Sequence, residues 1–393
     1  MKLELPRLTV VRVEDSSSFE SLLSGISGLD RIGLDAERAS GFRYSNRAYL
    51  IQIATPDTIY LVDPVALEGV KGWSEKLARA MARPEWILHS ATQDLPCLAE
   101  LGIKPTRIFD TELAARIAGV EKFGLASLAL QLLDLELEKE HSAADWSKRP
   151  LTESMLNYAA LDVDILFELH AALVSLIETK GRTDWLAQEF TQLAIFQPKP
   201  PAEQPWRNLP GMSKVRDESR QQIAASLHSV RDRIAREQDV APGRLIPDRS
   251  IAAVVAKPPS SKRELAGNKE FQGRASRSML NQWWQAIEDA PKLKISPAKL
   301  DPDHVPNHRS WEKRFPDAHL RLKEVRAGLQ ELAASLELSV ELLMSPDAVR
   351  RVCFAPAEDV RSQLQGLGAR PWQLEVAADA IEAGLERARS QSA

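Results

Sequence analysis

The change from strand-like to helix-like segments along the chain most limits the folds that this sequence can adopt. Four short segments near the start are rich in branched apolar residues and are bounded by polar or turn residues, as strands are. They read RIGLDAER, YLIQIAT, TIYLVDP and WILHSA. Later segments repeat apolar residues every three or four positions, which is typical of amphipathic helices. Strands followed by helices predict a layered α/β or α+β domain.

Two proline-rich, polar segments divide the chain of 393 residues into three parts. Such segments are typical of linkers, and a chain of this length is expected to form two or three domains. We expect a domain over residues 1–195, a linker over 196–211, a helical bundle over 212–290, a linker over 291–315 and a second bundle over 316–393.

The two helical parts resemble each other in sequence. VAPGRLIPDRSIAAVV, which begins at Val240, aligns with LSVELLMSPDAVRRVC, which begins at Leu338, and this predicts a repeated helical module. Residues 212–277 contain 14 basic and 8 acidic residues, whereas residues 318–389 contain 9 basic and 11 acidic residues. The net charge of −4 for the whole chain conceals this difference in charge between the two modules. The first module is therefore the one expected to contact phosphate, although solvated helix faces would give the same pattern. The second is expected to have a packing role.

The composition excludes several classes of protein. With 44% hydrophobic and 27% charged residues, the chain is too apolar to be disordered, and no segment approaches the roughly 20 apolar residues of a membrane span. Its two cysteines, Cys97 and Cys353, offer neither a disulfide framework nor a thiolate metal site. The N-terminal segment lacks the apolar core of a secretory signal. We expect a cytoplasmic protein that acts as a monomer and binds no membrane.

Two carboxylates interrupt the first strand-like segment. Asp35 and Glu37 are two positions apart, so on a strand both side chains project from the same face. Neighbouring carboxylates repel each other unless a cation neutralises them. A pair of this kind also occurs by chance at strand ends, so it is weak evidence alone.

Two further acidic positions follow. Asp94 in SATQDL comes after a strand and begins a helical segment, where an ordinary helix cap is the simplest interpretation. Tyr158 and Asp162 in YAALD are four positions apart, which places them on one face of a helix. That pair could equally mark the polar boundary of an amphipathic helix.

Taken together and in this order, the three motifs resemble the ribonuclease D branch of the DEDD exonucleases, in the subgroup whose third motif is Tyr-x-x-x-Asp. The segments FDTELAARIAG and DWSKRPL also resemble connecting motifs of that family, and the resemblance spans about residues 20 to 180. The helical modules are similar to HRDC domains in tandem, the second copy being degenerate. The resemblance implies a ribonuclease-H-like mixed α/β sheet flanked by helices, followed by two all-α HRDC-type bundles.

The resemblance also implies a role for each acidic residue. Oxygen ligands select hard cations, and two Mg²⁺ or Mn²⁺ ions about 4 Å apart would stabilise the attacking and leaving oxygens. Asp35 would bridge both ions, Glu37 and Asp162 would complete the site that binds the nucleophilic water, and Asp94 would hold the second ion. Tyr158 would orient the water, because a phenol with a pKa near 10 is a poor base at neutral pH.

Other polar residues near these motifs have less definite roles. Asp110 is expected to support the site or to cap the helix that follows it. Arg149 could bind a substrate phosphate, or it could form an ion pair with Asp145. His89 and His141 do not fit the histidine subgroup of these exonucleases, so both are expected to be structural.

The function implied by the resemblance is a metal-dependent 3′–5′ exoribonuclease. It would release nucleoside 5′-monophosphates from the 3′ ends of tRNA precursors or other structured RNAs. One alternative is a 3′–5′ DNA exonuclease in repair, because the 2′-OH contacts that select RNA follow no short motif. Another is a non-catalytic HRDC nucleic-acid-binding protein. A helicase is excluded because the sequence contains no GxxxxGK[ST] motif for ATP.

Overall fold

The computed structural model describes residues 2–137, 144–198, 200–297 and 304–392. Eight strands lie in these ranges: β1 (Lys2–Leu3), β2 (Thr9–Val13), β3 (Arg31–Arg38), β4 (Ala48–Ala54), β5 (Thr58–Val62), β6 (Glu85–Leu88), β7 (Arg107–Asp110) and β8 (Glu136–Leu137). The four strands that the sequence predicted correspond to β3, β4, β5 and β6.

Six of these strands form one mixed sheet in the order β2-β5-β4-β3-β6-β7. Strand β4 runs antiparallel to both of its neighbours, β5 and β3, while the β2–β5, β3–β6 and β6–β7 pairs are parallel. All seven residues of β4 are buried, as expected for a strand covered on both faces. Strands β1 and β8 form a separate parallel pair.

Eight helices accompany the strands in this described part of the chain, and we call the whole unit from β1 to α8 the N-terminal domain. They are α1 (Ser16–Ile26), α2 (Trp73–Met81), α3 (Leu95–Glu100), α4 (Thr111–Ala118), α5 (Leu125–Leu133), α6 (Glu153–Asp164), α7 (Leu166–Thr179) and α8 (Thr183–Ala194). Apolar residues of α1, α2 and α3 pack on one face of the sheet. Helices α4, α6 and α7 pack on the other face. The predicted mixed sheet flanked by helices is confirmed.

The remainder of the described chain is helical. The first bundle consists of α9 (Glu218–Gln238), α10 (Pro242–Leu245), α11 (Asp248–Ala256), α12 (Lys262–Gly267), α13 (Arg274–Ser278) and α14 (Leu280–Asp289). The second bundle consists of α15 (Trp311–Arg314), α16 (Pro316–Leu336), α17 (Val340–Leu343), α18 (Pro346–Phe354), α19 (Val360–Gly366) and α20 (Pro371–Ser392). Short 3₁₀ turns lie at 66–69, 91–93, 205–208, 212–214, 269–271, 290–292 and 308–310.

The two bundles are built from the same sequence of elements. Helices α9 and α16 each have 21 residues, and each is followed by a helix of 4 residues and one of 9 residues. Both long helices end at a residue in the left-handed region, Asp239 with φ 46° and Glu337 with φ 56°. Such a residue is a common way to end a helix. The repeat that the sequence suggested is therefore present in the backbone.

The bundles differ in how they bury their apolar residues. The first bundle has a core of its own that includes Trp283, and the proposed linker contributes Trp206 and Leu209 to it. The second bundle instead shares a continuous core with the N-terminal domain. Trp372 of α20 stacks on Trp185 of α8, with ring centroids 4.7 Å apart. The second bundle therefore packs as an extension of the N-terminal domain.

Polar contacts fix the same interface. The indole Nε1 of Trp372 donates to Glu189 at 2.9 Å, and Arg370 forms an ion pair with the same carboxylate at 2.9 Å. Gly119 has φ 84°, and a Cβ atom there would lie 2.8 Å from the Glu337 carbonyl oxygen. Only glycine allows this approach. None of the helices in the described ranges combines the length and apolar character needed to cross a membrane.

Candidate active site

Three carboxylates from two elements meet at one face of the sheet. Asp35 and Glu37 project from the same face of β3, as their spacing predicted, and Asp162 reaches them from α6. One oxygen atom from each of the three lies within 4.8 Å of the others. All three side chains are half-buried. This grouping brings together oxygen ligands of the kind that hard divalent cations bind.

Asp94 lines the same cavity from a different element. It lies at the start of α3 and is 5% exposed. Its side chain accepts no capping hydrogen bond from the helix, so the helix-cap interpretation does not account for it. The carboxylate is therefore available to the cavity, next to the three-residue cluster.

Helix α6 presents Tyr158 and Asp162 to the cavity on one face, as predicted. Thr152 caps the helix by accepting a hydrogen bond from the Met155 N–H. The Tyr158 side chain is hydrogen-bonded to Asp162, and its ring lies 6.4 Å from that of Trp146. The phenol is thus held at the edge of the carboxylate cluster.

The carboxylates of the site are strongly destabilised as anions. Burial, together with the charges of Asp35 and Asp162, raises the pKa of Glu37 to about 9. Burial raises the pKa of Asp35, Asp94 and Asp162 as well, and the charge of Asp35 adds to this at the other two. The pKa of Tyr158 is also raised, first by burial and then by Asp162. Buried like charges of this kind are stable together only when protonated or neutralised by cations.

Asp110 is hydrogen-bonded to the backbone of the turn that precedes Asp94. Its carboxylate accepts hydrogen bonds from the N–H groups of Ser90 at 3.1 Å and Ala91 at 2.9 Å, in the turn that leads from β6 to Asp94. It also caps α4 by accepting from the Glu112 N–H at 2.8 Å. The capping role is present in the structure, while the supporting role in the site stays a prediction.

Arg149 makes a different contact from the one considered in the sequence. Its guanidinium binds Asp63 through two hydrogen bonds of 2.7 Å, whereas Asp145 accepts from the Ser147 side chain. The other N–H groups of Arg149 donate to the carbonyl oxygens of Tyr49, Trp146 and Lys148. All five donors of the guanidinium are used in this way, which favours a structural role over phosphate binding. The ion pair with Asp145 is not formed.

His89 lies in the wall of the cavity. Its Nδ1 is 2.9 Å from the Thr111 hydroxyl oxygen, and burial lowers the pKa of its imidazole to about 4. The ring is therefore neutral near pH 7, and it is not among the clustered metal-ligand candidates. His141 lies outside the described residues.

Two residues that no sequence motif pointed to lie beside the carboxylates. Gln52 on β4 is the direct cross-strand partner of Asp35, is fully buried, and interrupts the apolar segment YLIQIAT. Arg38 lines the cavity after a shift in strand register between Glu37 and Arg38. Its positive charge lowers the pKa of Asp35, Glu37 and Asp94, against the larger effect of burial, which raises each of them. A polar residue within an apolar strand was the only local signal for Gln52.

Arg38 forms no ion pair or side-chain hydrogen bond with another described residue. Its side chain is half-buried at the cavity. A guanidinium beside a cavity is suited to binding a phosphate oxygen.

Three families match successive parts of the chain. Residues 10–178 match the domain family described as 3′–5′ exonuclease. Residues 220–287 match the HRDC domain, and residues 304–385 match the family described as the 3′ to 5′ exonuclease C-terminal domain.

Relatives of the whole chain agree with these matches. The chain is 30% identical over 362 residues to a protein named ribonuclease D from Zymomonas mobilis, with 88% of each chain covered. A crystal structure of a protein from Bifidobacterium adolescentis is 32% identical, covers 98% of this chain and 99% of that one, and has a TM-score of 0.88. Ribonuclease D of Escherichia coli, at 22% identity and a TM-score of 0.72, has the same fold over 97% of this chain and 99% of its own. The chain therefore belongs to the ribonuclease D family, and it is a 3′–5′ exonuclease with a DEDD-type acidic site.

Proposed function

We propose that the chain is an exoribonuclease that removes nucleotides from the 3′ ends of RNA and releases nucleoside 5′-monophosphates. The observation that carries this proposal is the cluster of Asp35, Glu37 and Asp162, with Asp94 in the same cavity. RNA is favoured over DNA as the substrate because the curated relatives that cover most of the chain are named ribonuclease D.

The residues of the site fit a pair of divalent cations, Mg²⁺ or Mn²⁺. Four carboxylates face one cavity, and the pKa of each is raised by burial, so cations would remove the cost of ionising them. The ligands are all oxygen atoms, which favours hard cations over zinc. Asp35, Glu37 and Asp162 would hold one ion, and Asp94 together with Asp35 would hold the other. When bound, such ions lower the pKa of the attacking water and stabilise charge on the leaving oxygen.

The side chains around the carboxylates would orient the reactants. Tyr158 keeps its proton, because burial and Asp162 raise its pKa, so it would orient the attacking water by hydrogen bonding rather than act as a base. Arg38 would bind a non-bridging phosphate oxygen of the substrate through its N–H groups.

Structured RNAs such as tRNA precursors are the substrate class that we infer. The Escherichia coli protein with the same fold is described as an exoribonuclease involved in structured RNA processing. In this chain, the basic segment 212–277 within and just before the first bundle would add a surface for RNA phosphates. Processing of 3′-extended precursors would use that surface together with the cavity.

A digestion of matched oligonucleotides tests the choice of substrate. RNA and DNA of identical sequence, each labelled at the 5′ end, are incubated with the purified chain in Mn²⁺, in Mg²⁺ and in EDTA. We expect shortening of the RNA from its 3′ end in both metals, at a rate at least about tenfold above that of the DNA, and no shortening in EDTA. Faster degradation of the DNA would favour the repair exonuclease, and a tight RNA complex without turnover would favour the non-catalytic binding protein.

A further inference from the structure

The loop at residues 39–47 connects the acidic cluster to the first bundle. It joins β3 to β4 and begins directly after Glu37 and Arg38, where the register of the two strands shifts. The first bundle lies about 200 positions further along the chain, yet it contacts this loop through hydrogen bonds and stacked side chains. These contacts fall into three groups.

Asp239 makes the first group of contacts from the end of α9. One oxygen of its carboxylate accepts hydrogen bonds from the backbone N–H groups of Tyr44 at 3.2 Å and Ser45 at 3.0 Å. The other oxygen lies 3.4 Å from the hydroxyl of Tyr49 on β4. A single carboxylate therefore holds the second half of the loop and the start of the next strand.

The segment after α9 holds the first half of the loop. The Ala241 N–H donates to the Phe42 carbonyl oxygen at 3.0 Å. Arg244 donates from Nε to the Gly41 carbonyl oxygen at 2.7 Å, and its guanidinium lies 4.1 Å from the centre of the Phe42 ring. The loop is thus fixed on both sides of its tip by the first bundle.

A third contact continues along α9 itself. The Tyr44 hydroxyl is 3.0 Å from Asp232, and the guanidinium of Arg236 lies over the Tyr44 ring at 5.6 Å. Residues 41 to 45 therefore contact the first bundle through both backbone and side-chain atoms.

The C-terminal end of α16, which is the corner of the second bundle equivalent to the end of α9, has a different partner. Glu337, which ends α16 as Asp239 ends α9, forms an ion pair of 2.5 Å with Lys180. The neighbouring Leu336 carbonyl accepts from Arg182 at 2.6 Å. Neither Lys180 nor Arg182 lines the cavity of the acidic cluster. The repeated module therefore docks twice through the end of its long helix, once against the loop that follows β3 and once against α7 and the turn that follows it.

We propose that Asp239 is a positioning residue for the exonuclease reaction. By holding loop 39–47, it fixes the end of β3 and the placement of Arg38 at the cavity, so the first bundle contributes to turnover as well as to RNA binding. Displacement of reacting groups by about 1 Å can lower a rate a hundredfold, so the constraint has a kinetic consequence. This inference rests on the exoribonuclease activity proposed above.

Matched substitutions at the two corners test the proposal. Asp239→Gly removes the carboxylate, and glycine is favoured at the left-handed end of a helix, so α9 should keep its termination. Glu337→Gly is the equivalent change in the second bundle. Asp239→Asn is the conservative variant, because its side-chain oxygen can still accept from both backbone N–H groups and asparagine tolerates this conformation. The substrate is a ribodinucleotide, since the residues that line the cavity all lie between positions 34 and 166.

The full-length variants are compared with the wild type in saturating Mn²⁺, with kcat and KM measured separately. We expect Asp239→Gly to lower kcat on the dinucleotide roughly tenfold, Asp239→Asn to restore it to within about twofold, and Glu337→Gly to leave it unchanged. Hydrogen exchange at Tyr44 and Ser45 should become faster only in Asp239→Gly. Equal kcat values for Asp239→Gly and Glu337→Gly would overturn the proposal, as would a loss confined to KM on long RNA.

A second variant covers the case in which Asp239→Gly does not fold. Arg244→Met removes the hydrogen bond to Gly41 without altering the end of α9, and we expect kcat on the dinucleotide to fall in the same direction. An unchanged kcat in this variant would contradict the positioning role. If the wild-type chain cleaves no RNA in either metal, the proposed function itself is wrong. If the wild type is active and the variants cleave at the same rate, only the positioning role is wrong.

Discussion

The side-chain amide of Gln52 lies 3.5 Å from a carboxylate oxygen of Asp35, directly across the β3–β4 strand pair. Gln52 is fully buried, and its Oε1 accepts no hydrogen bond from any described residue. The amide N–H therefore faces the carboxylate that is proposed to bridge both cations. Residues that orient a metal ligand in this way commonly influence metal affinity.

We predict that Gln52→Leu weakens metal binding by about tenfold or more without unfolding the sheet, because leucine has a similar volume and leaves no unpaired polar atom. The measurement is a Mn²⁺ titration followed by calorimetry, with melting temperature as the check on folding. Unchanged Mn²⁺ affinity in a folded Gln52→Leu protein would show that the amide does not orient Asp35.

The position of Arg38 at the cavity, without an ion pair to any described residue, leads to a second prediction. Arg38→Ala should lower kcat/KM on RNA by about 10- to 150-fold, the loss expected from one charge-assisted hydrogen bond to phosphate of about 1.5–3 kcal/mol. Arg149→Ala is the comparison variant, since its five donors are already used within the fold. We expect Arg149→Ala to lower the melting temperature much more than Arg38→Ala does. Full activity in Arg38→Ala would exclude a substrate contact.

The raised carboxyl pKa values give a third prediction. At pH 7 the Glu37 carboxyl, with its pKa at about 9, carries a proton that a cation must displace. Metal affinity should therefore rise with pH, by about tenfold per pH unit for each proton displaced. Calorimetry with Mg²⁺ between pH 6.5 and 8.5, in buffers of different ionisation enthalpy, measures both the affinity and the protons released. An affinity independent of pH, with no proton release, would contradict the electrostatic description of the site.

The shared core of the second bundle leads to a prediction about stability. Trp372 and Trp283 are both fully buried, but Trp372 belongs to the core of the N-terminal domain and Trp283 to the separate core of the first bundle. Trp372→Ala should lower the unfolding free energy of the N-terminal sheet by about 3–5 kcal/mol. Trp283→Ala should leave it nearly unchanged. Hydrogen exchange at the β4 amides under increasing urea measures this free energy in both variants. Equal losses of unfolding free energy in Trp372→Ala and Trp283→Ala would contradict the shared core.

Local spacing in the sequence predicted which side chains share a face, whereas the resemblance of the ordered motifs to a known family was needed to join them in one site. Asp35 and Glu37 share a face because strand side chains alternate with a period of two, and Tyr158 and Asp162 share one because a helix repeats every 3.6 residues. The order of the motifs then indicated the family. These predictions depend on backbone periodicity within a single element.

The contacts that the sequence did not reveal all depend on tertiary packing. Gln52 meets Asp35 through the register of a strand pair, and Arg149 meets Asp63 rather than the nearby Asp145. Asp239 reaches Tyr44 across 195 positions. No periodicity encodes these partners, because each is decided by where separate elements pack against one another.

The measurement that most directly tests the assignment is identification of the products from a 3′-extended RNA by mass spectrometry. The wild type and Asp35→Asn are compared in Mn²⁺, with the melting temperature showing that the variant is folded. We predict that the wild type releases only nucleoside 5′-monophosphates in sequence from the 3′ end, and that Asp35→Asn releases none. Nucleoside 3′-phosphates among the products, or retained turnover in a folded Asp35→Asn protein, would contradict the proposed metal-dependent exoribonuclease.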